Sequence, residues 1–581
     1  MSFGTAPTVP TALQVYNSYL IDPEWQTKFS IIWASCLGAA IVFASPYLLK
    51  SIRNGRAFAG FFGISEDFEG RGKYESVDRT RKKTSKRSPT IRRIEGVLSV
   101  IRSVGLWSPP GLSLNFGQLF VVLAYLIIVL ICIIMGSQLV SNSNRAGFMA
   151  LAQLPVVFLF GTKNSIVSLL LGPGNGYEKL NYIHRWSGRT LFLGAVVHGS
   201  LWIRNHLQYN IQIIGAQKET SGVAALGVLS GIVLTSFKPV RRLFWDFFWV
   251  VHVLGYVAFF ITICYHSIYA IPWIFPPLAF YAADIFMRMI RVRIKDAGLT
   301  AVDSNMTVIR VSDCDSNWIA GQHVRLRVFF SGRVLESHPL TIMNAPSDIT
   351  CLASSSSTES GRGIILGARV TGDWTRALNT YAEMEGNALL AKDALWVPVQ
   401  VMLDGPYGGC SIDLGEYETG RKKGEKTRRI EFVWCLRSYG AIHWFSSLLI
   451  PIANLVAESP DLDLHISIYV TCLCNPASVP TIPNSDTGNR KILLDLTTPP
   501  RKIACCCASS SNDEEDVQCT FPRDSEACAV LAEASTKLQW AGLGGGVAVL
   551  TREASNAVAK LSLLRGVELG GVGLHTEVFS S

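Results

Sequence analysis

The sequence predicts a multi-domain membrane protein: an α-helical transmembrane unit, then a soluble half that opens as a small β-barrel and closes as an α/β unit. Three observations carry that expectation. Apolar runs near 20 residues, long enough to cross roughly 30 Å of hydrocarbon, crowd the first 290 positions. Lys and Arg collect on one side of those runs if the runs alternate across a bilayer. Beyond residue 290 the apolar pattern shortens to β-type alternation and then becomes strand, helix, strand.

The composition agrees, with 49% hydrophobic against 17% charged residues in 581. The apolar runs lie at about 29–49, 117–140, 146–171, 184–204, 221–237, 243–266 and 268–289. The first 28 residues lack the basic start and cleavage site of a signal peptide, so the first run is expected to stay as an anchor. The stretch from Lys50 to Arg102 holds fourteen Lys and Arg, including RTRKKTSKR at 79–87. Lys179, Arg185 and Arg189, then Lys238, Arg241 and Arg242, then Arg288, Arg291, Arg293 and Lys295 fall on the same side. Only Lys28, Arg145, Arg204 and Lys218 fall opposite.

The expected layout follows: an extracytosolic N-terminus over 1–28, a first span over 29–49, a basic cytosolic loop over 50–116 and a transmembrane unit over 117–289. A cytosolic barrel over 290–412 and an α/β unit over 413–581 complete it. The basic run reads as a solvated loop touching anionic membrane lipid, and no nucleic-acid partner is expected. The fourteen cysteines form no CxxC pair, and GRKKGEKT (420–427) follows no strand and lacks a second glycine directly before the lysine of a P-loop.

Four histidines carry the chemistry. His184 and His198 sit fourteen residues apart in one span, and His252 and His266 repeat the spacing in another. Fourteen helical residues rise about 21 Å and turn about 1400°, only about 40° short of four full turns. Each helix therefore presents two imidazoles on nearly one face, near opposite membrane surfaces. If the two helices run side by side, His184 is level with His252 and His198 with His266. Facing imidazoles at two levels suit two six-coordinate haem irons. A proton relay or metal pathway would want acidic partners, and Asp246 and Asp284 stand only near span ends.

RAGFMALAQLPVVFLFGTKNSIVSLLLG followed by YEKLNYIHRWSGR resembles the membrane core of fungal ferric reductases, relatives of the NADPH oxidases, from about residue 110 onward. The resemblance implies two b-type haems held by His184/His252 and His198/His266, and a ferredoxin-reductase-like cytosolic half. In that half GQHV (321–324) and HPLT (338–341) match the family's flavin barrel, and GDWTRAL (372–378) its next element. The resemblance thus places FAD against His338, Pro339, Leu340 and Thr341. It places the FAD pyrophosphate near Gly372, Trp374, Thr375 and Arg376, and Phe579 over the flavin ring. DGPYGG (404–409) resembles the entry to the nicotinamide domain, implying NADPH contacts from Gly405, Pro406, Tyr407 and Gly408.

Two family elements are absent. A nucleotide-binding unit needs a strand, a Gly-rich turn and a helix N-terminus for the phosphate. Here CSIDLGEYETGRKKGEKTRR runs straight into IEFVW (430–434), and GLGGGVAVL (542–550), read as a strand, runs straight into TREASNAVAKL. IEFVW and LHISIYV (464–470) read as buried parallel strands joined through a helix at 441–457. CLASSSSTESGRG (351–363), NPASVPTIPNSD and the stretch 508–518 read as loops or insertions.

The implied activity is electron transfer from cytosolic NADPH through FAD and two haems to external ferric or cupric chelates, with room for iron-uptake partners. Two alternatives stay open. One is a superoxide-producing NADPH oxidase built from the same parts. The other is a haem-binding membrane protein whose NADPH half does not work, whether a splice isoform or a truncated gene model. A plasma membrane is implied by the resemblance, although the topology suits a vacuolar membrane equally. No residue is singled out as catalytic.

Overall fold

The computed structural model describes residues 16–65, 89–110, 112, 114–346, 363–390, 396–411, 429–436, 439–457, 463–470, 546–569 and 574. Helices cover all seven apolar runs. The first, α1 (Ser18–Arg53), starts where the Asn17 side chain accepts from the Tyr19 amide and ends with Lys50 and Arg53 in its last turn. Those cations suit the negative end of the helix dipole. A helix in the basic stretch, α2 (Pro89–Leu106), precedes α3 (Phe116–Ile134). A reciprocal box of Asn115 and Gln118 caps α3.

The third run is not one helix. It is broken into α4 (Asn144–Ala152), α5 (Leu154–Leu159) and α6 (Ile166–Leu171). Pro155 has no N–H to continue the ladder of the preceding turn, and the Gly161–Asn164 stretch follows before Ser165 caps α6. The remaining spans are α7 (Tyr177–Gln208), α8 (Gln217–Thr235), a short α9 (Lys238–Leu243), α10 (Trp245–His266) and α11 (Ile271–Arg291). Among the described residues four helices are long and apolar enough to cross a membrane: α1, α3, α10, and α11 with the 3-10 turn before it. The chain is an integral membrane protein. The lower apolarity of α7 follows from its basic and imidazole side chains.

One residue after α11 the barrel begins. Its strands are β1 (Arg293–Asp303), β2 (Met306–Val311), β3 (Gln322–Val328), β4 (His338–Thr341), β5 (Ile364–Arg369) and β6 (Val397–Gly408). All pairs are antiparallel in the order β4-β3-β6-β1-β2-β5. A bridge between Ile342 and Leu366 brings the two edge strands together, so the sheet is a nearly closed barrel. Alternate positions of β3 and β6 point inward, and Leu299, Ile309, Leu326, Leu366 and Leu403 are all but sealed from solvent. The helix α12 (Asp373–Leu390) covers one end through Trp374, Leu378 and Ala382.

In the α/β unit, β7 (Arg429–Leu436) pairs in parallel with β8 (Asp463–Val470), with α13 (His443–Ala457) between them. The parallel pairing agrees with the sequence reading, but the burial does not. Ile430, Phe432 and Val433 are 40–55% exposed. Parallel strands need layers on both sides, and among the described residues β7 and β8 carry only α13. A second correction lies near the C-terminus. Residues 546–550, read as a strand, open the helix α14 (Gly546–Leu569). The stretch VAVLTREASNAVAKLSLL contains no glycine or proline to separate a strand from the helix. Asn556 of α14 bonds to Ser108, just after α2.

Candidate functional site

The two long histidine helices face each other across a gap and run in the same direction, so the imidazoles meet in two levels. The rings of His184 and His252 have centroids 6.1 Å apart, and those of His198 and His266 are 6.0 Å apart. A metal ion bonded to both facing nitrogens at about 2.0–2.1 Å needs those nitrogens about 4 Å apart. Centroids near 6 Å meet that need once the ring radii are added.

The ring orientations are set from behind. The Nδ1 atoms lie 2.8 Å from the Val157 carbonyl in His184, 2.9 Å from the Ser143 carbonyl in His198 and 2.8 Å from the Lys218 carbonyl in His266. A carbonyl can only accept, so each Nδ1 carries the proton and Nε2 is left as the basic nitrogen. Such backing fixes the tautomer of a ligating histidine. The fourth ring differs: His252 Nδ1 is buried without a hydrogen-bond partner among the described residues, and the Phe248 and His252 ring centroids are 5.2 Å apart.

Three glycines make this backing possible, and the histidine spacing gave no hint of them. A Cβ on Gly161 would stand 2.7 Å from His184 Nδ1, one on Gly147 2.9 Å from His198 Nδ1, and one on Gly222 2.6 Å from His266 Nδ1. A side chain at any of these positions would push its imidazole off its carbonyl. Among the described residues no three His, Cys, Asp or Glu side chains converge. Each pair would offer two imidazole nitrogens to a metal, a donor set that fits haem iron held by two histidines.

The barrel sits at the His184/His252 end. Near the start of α7, Glu178 Oε1 lies 3.5 Å from His323 Nε2 on β3, and Lys179 Nζ lies 3.4 Å from Ser411 Oγ. The residues after α1 are wedged into the same junction. Arg56 donates to the Cys410 carbonyl, Arg291 to the Phe61 carbonyl and Asn317 to the Gly63 carbonyl. Part of what reads as a solvated basic loop is therefore mortar between the membrane unit and the barrel.

The expected flavin motifs converge. His338 and Thr341 bound the short edge strand β4, paired with Leu326 and His323 of β3. The His338 ring stacks on Trp374 at 4.1 Å and 26°, joining the 338–341 and 372–376 segments. Trp374 is buried with its Nε1 unpartnered among the described residues. Burial pushes the His338 imidazole below its ordinary pKa, as does Arg325, while Glu336 works in the opposite direction. Pro339 and Leu340 lie between His338 and Thr341 on β4. The amides of Thr371 and Gly372 donate to Thr375 Oγ1, and Arg376 is exposed beside Asp373. A groove of about 600 Å³ runs along α12 past Arg333, Asp373, Arg376, Tyr381 and Glu385. Phe579 lies outside the described residues.

The DGPYGG segment lies between the barrel and the α/β unit. It ends β6 and is pressed against the membrane unit. Gly405, Pro406 and Tyr407 are buried there. The Tyr407 hydroxyl donates to Asp404, and Lys163 and Arg291 lie 5.6 and 5.8 Å from its ring. Gly60 and Gly174 allow the approach, because a Cβ on them would meet Pro406 Cγ at 2.3 Å and the Ser411 amide at 2.4 Å. The segment serves first as a domain junction.

The polar cluster around Asp284 also went unread. Its carboxylate accepts from the Asn164 backbone amide and side chain and pairs with Arg288 at 2.8 Å. Arg145, counted as a charge on the face away from the barrel, is instead fully buried and paired with Asp22 of α1. A charged residue inside an apolar run was the available signal in each case.

Parts of this chain are similar to known proteins. Residues 146–263 match the family described as "Ferric reductase like transmembrane component", taking in His184, His198 and His252 and stopping three residues before His266. Residues 291–411 match the family described as "FAD-binding domain". "Ferric reductase transmembrane component 5" of Saccharomyces cerevisiae is 28% identical over 284 residues, 46% of this chain and 37% of that protein. "Ferric/cupric reductase transmembrane component 2" of the same yeast is 24% identical over 46% of this chain and 36% of its own. "Probable cell surface ferric reductase kap2" of Aspergillus oryzae is 24% identical over 65% and 56%. The matched part thus spans between about a third and three-fifths of those relatives. A ferredoxin NADP+ reductase from Neisseria gonorrhoeae, crystallised with FAD and NADP, overlaps 31% of this chain and 58% of its own at 14% identity. Its TM-score of 0.18 is too low to bear on the fold. The chain therefore carries a ferric-reductase-like transmembrane component followed by an FAD-binding domain.

Proposed function

We propose that this chain is a transmembrane oxidoreductase that moves electrons from the barrel side of the membrane to a ferric or cupric chelate on the opposite side, using NADPH as donor. The observation that carries the reading is the pair of level imidazole couples on α7 and α10, with the flavin barrel docked at the His184/His252 end. In this reading His184 and His252 hold the haem nearer the barrel, and His198 and His266 the farther one. FAD bound at the barrel would supply the change from two-electron hydride chemistry to the single electrons that haem iron can take.

The protein's own residues prepare that path. The carbonyls of Val157, Ser143 and Lys218 hold three imidazoles with Nε2 free to ligate. The β4 residues His338, Pro339, Leu340 and Thr341, with Gly372, Trp374, Thr375 and Arg376 at the start of α12, would hold FAD, and Phe579 would cover its ring. Glu178, Lys179 and Arg56 keep the barrel seated on the membrane unit. NADPH contact through Gly405, Pro406, Tyr407 and Gly408 would use the one motif face that the junction leaves partly open, at Gly408. The basic residues of the α7 start and α11 end support a cytosolic barrel side, and the likeness to a cell surface ferric reductase supports a plasma-membrane location.

A second reading has its own observation. The described α/β unit holds two parallel strands and α13, and residues 546–550 are helical where a nicotinamide-side strand was expected. That favours a haem-binding membrane protein whose NADPH half does not work. An absorption spectrum of the chain in detergent, with haem and FAD supplied, separates the two. Reduced b-type bands with NADPH support the reductase, and bands with dithionite alone support the second reading. Absence of haem bands with either reagent would overturn both.

A further inference from the structure

The α7 helix continues past the far imidazole pair. His198, Trp202 and His206 follow one another at four-residue steps, so they rise along one side of its last turns. The Trp202 and His206 rings are 5.6 Å apart, and Trp202 Nε1 donates to Asn144 Oδ1 at 3.1 Å. His206 Nδ1 faces the Trp202 carbonyl at 2.9 Å and must carry the proton, which leaves its Nε2 basic.

That Nε2 points at an acid. It lies 4.0 Å from Glu219 Oε1, in the first turn of α8, with His206 and Glu219 side chains 12% and 28% exposed. The gap is too long for a hydrogen bond, and neither atom has another hydrogen-bond partner among the described residues. Two donors each about 2.0–2.2 Å from one cation can stand about 4 Å apart. Glu219 is also one residue from Lys218, whose carbonyl orients His266. Both halves of the His206–Glu219 pair are thus tied to the far imidazoles, one through α7 and one through α8. Arg204 and Lys218, both exposed, lie on the same two helix ends and would draw in anionic chelates.

We infer that His206 and Glu219 form the docking site at which a labile Fe(III) or Cu(II) chelate is held for reduction. This rests on the reading of the chain as a haem reductase. Imidazole and carboxylate suit first-row cations. Two protein ligands hold the ion briefly and leave its other positions to the chelator, as a departing substrate requires. One electron delivered from the haem that His198 and His266 would hold would convert each Fe(III) to Fe(II), or Cu(II) to Cu(I), and no bond to the protein other than this coordination would form or break.

The test uses the full chain with haem, reduced by dithionite and then mixed rapidly with either cupric citrate or ferricyanide. Ferricyanide is coordinatively saturated and cannot take a protein ligand. In His206→Ala and Glu219→Gln the cupric citrate concentration for half-maximal reoxidation should rise by about tenfold or more. Reoxidation by ferricyanide should be unchanged, and Glu219→Asp should retain most of the wild-type behaviour. Independently of turnover, Cu(II) titrated into the oxidised protein should show a nitrogen-coupled EPR signal that His206→Ala removes. Equal slowing with both oxidants, or no change with either, overturns the docking site. Absence of haem bands before mixing would instead overturn the haem reading itself.

Discussion

At the scale of single residues, the imidazole ladder depends on three glycines as much as on four histidines. Each histidine was legible because a titratable ring in an apolar helix is costly and two identical spacings are hard to reach by chance. Gly147, Gly161 and Gly222 were not legible, since glycine is common in membrane helices and its reason here is a neighbour distant in sequence. Adding one carbon at Gly161 would place it 2.7 Å from His184 Nδ1 and 3.1 Å from the Val157 carbonyl that orients the ring. Gly161→Ala is therefore expected to lower the haem content from two towards one per chain while sparing the His198/His266 level. A pyridine haemochrome assay measures this directly. Two haems per chain in the variant would show that the backing carbonyl is dispensable.

Among the elements, α1 departs most from its reading as an anchor. Its N-terminal half is part of the packed bundle, with Ser18, Asp22, Gln26 and Phe29 buried. Gln26 donates to the Phe148 carbonyl, Asn144 to Ser18, and Asp22 accepts from Arg145 at 2.5 Å. Arg145 also donates to the Cys132 and Met135 carbonyls at the end of α3. A buried guanidinium with all these partners binds three helices together, next to the Ser143 and Gly147 that touch His198. The spans were legible from length and apolarity, which report on lipid. The docking of α1 was not, because it depends on a few polar side chains in an otherwise uniform apolar run. Asp22→Asn leaves Arg145 buried with no carboxylate and should cost about 3–5 kcal/mol. The expected sign is a lower thermal midpoint in detergent, largely restored in an Asp22→Asn/Arg145→Met double variant. An unchanged midpoint for the single variant would show that Arg145 finds compensation elsewhere.

For the whole molecule, the decisive relation is between the barrel and the bundle, and sequence order alone says little about it. The barrel itself was legible, from the short β-rich runs now seen as β2, β3 and β4 and from the order of the GQHV, HPLT and GDWT motifs. Its seat was not, because the contacts come from the turn before α7, the stretch after α1 and the end of β6, which are far apart in the chain. Gly174 lies at their centre. Its φ of +77° is a region that side chains avoid, and a Cβ there would stand 2.4 Å from the Ser411 amide. Gly174→Val should therefore pry the end of β6 from the start of α7 and loosen the nearby Glu178–His323 and Lys179–Ser411 contacts. The variant touches neither the imidazole pairs nor the His338–Trp374 stack, so haem content and FAD affinity should hold. What should fall, by about tenfold or more, is the rate at which reduced flavin passes electrons to haem, since positioning governs that step. Photoreducing the flavin and following the b-type bands reads the rate without recourse to NADPH. If it is unchanged in Gly174→Val, the junction is only an attachment and the electron path does not depend on how the barrel is seated.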